Sequence, residues 1–261
     1  MLLAIDSGNT TIVFAVFGGE ELHHQWWCPT DANRTTSDYA AWLMESMSAK
    51  GLKPADIDGA VISNVVPAVQ DKLADLCRGT FGCAPLVVGE SGVDLGMKIL
   101  VDRPEDVGSD RLVNALAVRE RHRLPAIVVD FGTATTFDAV DDAGNFLGGA
   151  IAPGVNVALG ALRGATAKLP HVEFERPERV IGKGTVPAMQ SGIYWGYIGL
   201  VESLIARMTA EMGSDVTVVA TGGLGTLFLE ATPLIGACDP ALTLYGLMYA
   251  YRRNAKAGDA R

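Results

Sequence analysis

The chain has 261 residues, 49% of them apolar and 20% charged, a globular composition with enough length for two lobes of ordinary size. Its 30 acidic and 21 basic residues leave a formal charge of −9. That balance argues against a protein whose main task is to coat nucleic acid or an anionic membrane. No stretch of 18 apolar residues is present, and the opening MLLAIDSGN has neither a basic region nor a cleavage site. The expectation is a soluble, cytoplasmic protein with no membrane and no nucleic-acid partner. Cys28, Cys77, Cys83 and Cys238 form no CxxC pair, and His23, His24, His122 and His171 stand in no metal-binding or catalytic-triad spacing. Zinc and hydrolase chemistry have no support, and the thiols read as incidental in a reducing compartment.

The chain opens on a hairpin pattern. LLAIDSGNTTIVFAV (2–16) reads as an apolar strand, an Asp-x-Gly turn rich in small hydroxyl residues, and a second apolar strand ending at Gly18-Gly19. A helix is predicted over 37–49, a strand over 59–64, a helix over 67–78, a strand over 85–88 and a helix over 104–121. Pro104, Glu105 and Asp106 supply the first-turn residues of that last helix. IVVDFGTATTFDAV (127–140) then repeats the opening, aligning Asp6 with Asp130, Gly8 with Gly132, Thr11 with Thr135, and Ala15-Val16 with Ala139-Val140.

A Gly/Pro loop (148–155) and a helix near 156–164 are expected next. The longest helix starts near Thr185, with Val186, Met189, Ile193, Tyr197, Leu200, Leu204 and Met208 recurring at steps of three and four. Gly192, Gly196 and Gly199 line one face of it, which points to close approach by another element or subunit. A strand at 216–220 runs into TGGLGTLF, and a final helix over 241–253 leads to a polar tail expected to fray. The alternation and the echo together predict an α/β protein of two duplicated lobes, 1–118 and 119–261, joined near 115–125.

A glycine flanked by small hydroxyl residues after an acid-ended strand leaves backbone N–H groups for phosphate oxygens, and the acid can hold a metal ion or water beside them. Asp6-Ser7-Gly8-Asn9-Thr10-Thr11 and Asp130-Phe131-Gly132-Thr133-Ala134-Thr135 both fit that description. Two such turns facing across a cleft would clamp a nucleotide's phosphates. The Gly-rich junction Ala220-Thr221-Gly222-Gly223-Leu224 could take the nucleoside end.

The order of these motifs resembles the acetate kinase, sugar kinase, heat-shock chaperone and actin superfamily. Within it the chain is similar to type III pantothenate kinases, through DSGNTTIV (6–13), SNVVP (63–67), PEDVGSDRLVNALA (104–117), VVDFGTATTFD (128–138), GGAIAPG (148–154), IGKGTVPAMQSGIYWGY (181–197) and TGGL (221–224). The resemblance implies ribonuclease H-like lobes with the active site in the cleft between them. It implies ATP-dependent phosphorylation of pantothenate to 4′-phosphopantothenate, the first step of coenzyme A biosynthesis, in a homodimer. It also implies Mg²⁺ with the ATP and a monovalent cation, K⁺ or NH₄⁺. By the same resemblance Asp6, Ser7, Gly8, Asn9, Thr10, Thr11, Ile12 and Val13 form the ATP phosphate loop and Thr133 adds a contact. Asp130 holds the monovalent cation, Gly108, Ser109, Asp110, Arg111 and Thr185 bind pantothenate, and Asp110 accepts the hydroxyl proton.

Three positions depart from the family pattern. Val101 stands where a pantothenate-lining tyrosine is usual, Ser109 replaces an alanine, and Gly184 a frequent polar residue. Asp110 and Arg111, being adjacent on a helix, cannot share one direction, so Arg111 reads as the partner of an anion such as the substrate carboxylate or a phosphate. Two other readings stand beside the kinase: a non-catalytic accessory or regulatory relative, and a superfamily kinase for another small alcohol or acid.

Overall fold

The structure, a computed structural model, describes residues 1–164, 172–213 and 215–258. It divides into two compact units, Met1–Lys98, Asp102–Glu120 and Leu242–Arg261 forming one, and Ile99–Val101 and Arg121–Ala241 the other.

In the first unit β1 (Leu2–Ser7), β2 (Thr11–Gly18) and β3 (Glu21–Pro29) form an antiparallel meander. Helices α1 (Thr36–Ser48) and α2 (Pro67–Phe81) lead to β4 (Gly59–Asn64) and from β4 to β5 (Pro85–Val87), giving the order β3-β2-β1-β4-β5 with β1, β4 and β5 parallel. Leu2 to Ile5 are all buried, which is why β1 reads as a continuous apolar run: it is covered on both faces. Thr35 and Asp38 close a capping box at the start of α1, Pro67 opens α2 in its first turn, and Gly82 ends α2 at φ 69°. Leu3, Ile5, Phe14 and Ile62 on one sheet face pack with Tyr39, Leu43, Met47, Leu73 and Phe81 of the two helices. Each large side chain so buried contributes about 1.5–3 kcal/mol. A short 3₁₀ turn (Pro104–Asp106) precedes α3 (Ser109–Arg121). The helix expected over 104–121 therefore begins five residues later, because Val107 is extended and breaks the turn.

The second unit repeats this plan. β6 (Ala126–Phe131), β7 (Ala134–Val140) and β8 (Phe146–Pro153) form the meander, followed by α4 (Val155–Gly164), α5 (Thr185–Met212), β9 (Thr217–Gly222), α6 (Gly225–Ala231) and β10 (Ala237–Cys238). The order is β8-β7-β6-β9-β10, with β6, β9 and β10 parallel. The stretch expected as a Gly/Pro loop at 148–155 is mostly β8: its alternate residues Leu147, Gly149, Ile151 and Pro153 are exposed at the sheet edge, as small or isolated residues on an edge strand can be.

The two hairpins differ in one respect that an ungapped alignment hides. Asp6 pairs with Val13, whereas Asp130 pairs with Thr136, so the first turn is one residue longer. Beyond the turn Val16 corresponds to Ala139 and Phe17 to Val140, one residue off the expected Ala15-Val16 and Ala139-Val140 match. Both third strands carry a register shift at that same step, between Val16 and Phe17 and between Ala139 and Val140.

On α5 the buried face is Tyr194, Tyr197, Ile198, Val201 and Ile205. The expected stripe lies mostly on its flank: Leu200, Leu204 and Met208 are half-buried, and Val186 is exposed. Gly192, Gly196 and Gly199 are exposed, and among the described residues a Cβ at any of them would meet nothing within 4 Å, so no other element of the described chain approaches this face. Phe131 and Phe228 stack at 4.1 Å in the core of this unit.

The last helix, α7 (Leu242–Gly258), returns to the first unit and packs on β1 and β4. Thr243 Oγ1 donates to Asn114 Oδ1 of α3 at 2.8 Å, and glycine is required at Gly59 because the Tyr251 ring lies where its Cβ would be. The helix runs past 253 into the expected polar tail, held there by Asn254, which bonds the Asp94 backbone. Residues 259–261 and His171 lie outside the described residues. Among the described residues no helix is long and apolar enough to cross a membrane.

Candidate functional site

In the first unit the candidate residues gather at the C-terminal ends of two neighbouring parallel strands, the usual place for ligand loops in an open α/β sheet. Asp6 of β1 stands opposite Ser63 of β4, and Ser7 opposite Asn64. The turn after β1 is tied down on several sides. Gly8 N–H donates to Thr11 O at 3.0 Å, Val65 N–H to Ser7 O at 3.1 Å and Thr30 N–H to Thr10 O at 3.0 Å. Thr30 Oγ1 also donates to Gly8 O at 2.7 Å. With those carbonyls turned inward, Asn9 and Thr10 are exposed at the tip. The Ser7 side chain is buried, and its hydroxyl has no hydrogen-bond partner among the described residues. A fixed turn with an exposed tip and an unmet hydroxyl suits phosphate oxygens.

The start of α3 meets the same strand end. Gly108 O accepts from Arg111 N at 3.1 Å and Leu112 N at 3.3 Å. Ser109 Oγ lies 2.9 Å from Ser63 Oγ and accepts from Asn64 N–H at 3.1 Å. Asp110 therefore sits one residue from a side chain bonded to the strand position opposite Asp6. Its Oδ1 accepts from Arg111 N–H at 2.8 Å. A Cβ on Gly108 would stand 2.5 Å from that same oxygen, so the glycine is what admits the carboxylate. Burial raises the Asp110 pKa above the ordinary carboxylate value, against the lowering effects of the Arg111 N–H and the Arg111 charge. An open cavity of about 480 Å³ lies at the adjoining turn, lined by Asn64, Val65, Pro67, Gln70 and Asp71.

In the second unit Asp130 of β6 stands opposite Thr221 of β9, and Phe131 opposite Gly222. The Thr221-Gly222-Gly223 turn is thus the counterpart of Ser63-Asn64-Val65, a relation with no sequence signal. Gly222 has φ 80°, and a Cβ on it would lie 2.5 Å from Asp130 Oδ1 and 2.7 Å from Phe131 O. The Asp130 carboxylate and the Phe131 carbonyl thus both lie against Gly222, and both are oxygens of the type hard cations prefer. Among the described residues no cluster of three or more His, Cys, Asp or Glu side chains could hold a metal.

Gly132 N–H donates to Ala134 O at 3.0 Å and Gly154 N–H to Thr133 O at 3.1 Å, while the Thr133 side chain is exposed. Gly154 has no room for a side chain, because the Thr133 and Gly132 carbonyls occupy that space. Tyr197 Oη donates to Pro153 O at 2.7 Å and lies 2.5 Å from Thr135 Oγ1, so α5 fixes the strands carrying this turn.

Thr185 is the exposed first residue of α5, after Gly184. Val101 lies in the second unit, its Cγ1 3.4 Å from the Cβ direction of Gly148. The structure thus groups Asp6 to Val13 with Gly108 to Arg111, and Asp130 with Gly132, Thr133 and Gly222. Ser63, Gly154 and Tyr197 lie in stretches the sequence singled out, but their support of these turns, like that of Thr30, has no sequence signal because each acts across the sheet or from another element. All four cysteines are free, and burial pushes the Cys77 thiol up to about 12 and raises Cys28 and Cys83, which leaves them poor thiolates.

Comparisons with known proteins bear on the fold and the family. The chain superposes on a Campylobacter jejuni protein described as a candidate Baf family transcriptional activator, with a TM-score of 0.62, 17% identity and coverage of 97% of this chain and 99% of that one. It also superposes on the inorganic polyphosphate/ATP-glucomannokinase of Arthrobacter sp. strain KM, with a TM-score of 0.50, 13% identity and coverage of 98% of both chains. At such identities these likenesses establish the fold alone. In sequence, the chain is 57% identical to the type III pantothenate kinase of Paramagnetospirillum magneticum over 98% of both chains. It is 55% identical to that of Rhodospirillum rubrum over 97% of this chain and 99% of the relative. A family model for type III pantothenate kinase matches residues 2–207, and the chain belongs to that family.

Proposed function

We propose that the protein transfers the γ-phosphoryl group of ATP to the primary hydroxyl of pantothenate, giving 4′-phosphopantothenate and ADP and opening coenzyme A biosynthesis. The observation that carries this reading is the register of Asp6 with Ser63 and the bond from Ser63 to Ser109, which together set a phosphate turn beside Asp110. Phosphoryl transfer passes through a loose transition state, so placing the two reactants and compensating charge matter more than a strong base. The turn Asp6, Ser7, Gly8, Asn9, Thr10, Thr11, Ile12 and Val13 holds the ATP phosphates, and Thr133 adds a contact. The turn Gly108, Ser109, Asp110 and Arg111 binds pantothenate with Thr185, Ser109 through its backbone only and Arg111 by matching the substrate carboxylate.

Asp110 orients the hydroxyl. As the oxygen–phosphorus bond forms and the bond to the ADP oxygen breaks, the hydroxyl proton passes to the Asp110 carboxylate. The pKa of Asp110, raised by burial, favours keeping that proton once it arrives. Asp6 would stand beside Mg²⁺ brought in with ATP and Asp130 would hold K⁺ or NH₄⁺, and these ions would supply positive charge against the phosphates. The enzyme is read as a cytoplasmic homodimer, with the open glycine face of α5 as the contact between copies.

The test is ATP turnover with and without pantothenate in K⁺ and in Na⁺ buffer. Asp110→Asn is expected to lower pantothenate-dependent turnover by about 10²–10⁴-fold with little change in ATP binding. Wild-type protein that binds ATP yet shows no turnover with pantothenate in K⁺ would defeat the reading.

A further inference from the structure

Ser109 lies within the stretch assigned to the acceptor, yet its hydroxyl is not presented to a ligand. The residue is 7% exposed and Ser63 is fully buried. The Ser109 oxygen has Ser63 Oγ at 2.9 Å, the Asn64 N–H at 3.1 Å and Asn64 O at 3.4 Å. A serine hydroxyl offers one donor and two acceptor sites. All three are used if Ser63 O–H and Asn64 N–H donate to Ser109 Oγ and the Ser109 proton points to Asn64 O. In that arrangement Ser63 acts on Asp110 only through Ser109, and Ser109 Oγ accepts from the Asn64 N–H.

That N–H belongs to the last residue of β4, so the hydroxyl closes the strand end and joins it to the first turn of α3. The neighbouring Asp110 is steered by the same turn: its Oδ1 is held by Arg111 N–H at 2.8 Å and passes within 2.5 Å of the Cβ position of Gly108. Val65, next along the strand end, stands 3.6 Å from that Cβ position and bonds Ser7 O at 3.1 Å. Any slack between β4 and α3 would therefore move Asp110 relative to the phosphate turn, within a single unit of the fold.

We infer that Ser109 is a positioning residue, its hydroxyl clamped to Ser63 and Asn64 so that Asp110 is held in line with the phosphate turn. The inference rests on the reading of Asp110 as the group that orients and deprotonates the acceptor. A displacement of about 1 Å at a reacting centre can lower the rate 10²-fold, and a slackened helix start falls below that limit.

The experiment compares Ser63→Ala, Ser109→Ala and the double variant in the full chain, with kcat, KM for pantothenate, KM for ATP and the pH dependence of kcat. Ser109→Ala is expected to lower kcat about 5–50-fold, with KM for ATP within twofold of wild type and the acid limb of the kcat profile displaced. Ser63→Ala lowers kcat less, and the double variant matches Ser109→Ala, as expected when one group acts only through the other. Thermal melting of each variant identifies loss of fold; should Ser109→Ala not fold, the smaller change Ser63→Ala carries the comparison through its own kcat and pH profile.

A Ser109→Ala enzyme with wild-type kcat and pH profile overturns the inference, as does a rise confined to KM for pantothenate, which would make Ser109 a ligand contact. Strict additivity of the two single changes also overturns it. Asp110→Asn is run beside them: turnover surviving in that variant refutes the reading of Asp110 itself, whereas a dead Asp110→Asn with an unaffected Ser109→Ala refutes the clamp alone.

Discussion

Gly222→Ala is the most direct probe of the second Asp-x-Gly turn, because two separate penalties meet at one atom. At φ 80° an L-residue incurs about 1–2 kcal/mol of backbone strain. The new methyl would also sit 2.5 Å from Asp130 Oδ1 and 2.7 Å from Phe131 O, inside any real carbon–oxygen contact. Relief requires the Asp130 side chain to swing away and the end of β6 to yield, an overpacking cost of about 1–3 kcal/mol. The sum, about 2–5 kcal/mol, corresponds to a fall in melting temperature of roughly 4–20 °C for a chain of this size. Gly223 is the control: a Cβ there meets nothing within 4 Å and its φ is not positive, so Gly223→Ala should melt near wild type. Differential scanning calorimetry reads the stability, and ATP turnover titrated with K⁺ reads the consequence at Asp130, which should be a weakened and flattened response. A Gly222→Ala protein with unchanged melting temperature and K⁺ response would refute both the clash and the placing of a cation beside Asp130.

Asp130→Asn should flatten the K⁺ dependence of turnover while leaving circular dichroism unchanged; a retained wild-type response would remove Asp130 from the cation site. Thr30→Val deletes the 2.7 Å bond to Gly8 O and should raise KM for ATP about 3–10-fold, in line with about 1 kcal/mol for one hydrogen bond, with KM for pantothenate unchanged. The His122 pKa is lowered, first by burial and then by the Arg121 charge, with Asp239 opposing. The unfolded chain therefore binds a proton more readily than the folded one. That contribution to stability is complete above the ordinary value of 6.5 and is lost as pH falls from there toward the lower folded value. His122→Gln should flatten the melting temperature across that interval, and an unchanged slope would count against it. At Gly196 an added Cβ meets nothing within 4 Å among the described residues, so Gly196→Leu should fold; light scattering should show a weakened dimer, and an unchanged mass would exclude this face as the contact between copies.

The turns proposed to carry the chemistry were legible because phosphate turns need specific residue types: Asp6, Gly8, Asp130 and Gly132 stand out as acids and glycines at strand ends. The duplicated plan was legible for the same reason, though the extra residue in the first turn shifted the second half of the alignment by one. Edge strands were harder. β3 and β8 are exposed on alternate positions, and the Gly149, Ile151 and Pro153 of β8 resemble a loop more than a strand. The buried face of α5 was misread by one residue because apolar side chains surround much of the helix, leaving the period without a clear phase. The supports at Thr30, Ser63 and Tyr197 had no local signal, since each is defined by a partner far away in sequence.

The return of α7 to the first unit has a consequence for the order in which the protein is made. β1 and β4 emerge early from the ribosome, but the face that α7 covers stays uncovered until residues beyond Leu242 have followed. Phe17 waits for Tyr245 at 5.5 Å, Asn114 for Thr243, and Gly59 for Tyr251. The stretch from Arg121 to Ala241, by contrast, contains its own strands and helices and can close while the earlier half is still open. Synthesis thus runs opposite to the usual N-terminal-first sequence of domain completion, and the early sheet spends the translation of about 120 residues, several seconds to half a minute, with an apolar face in reach of chaperones.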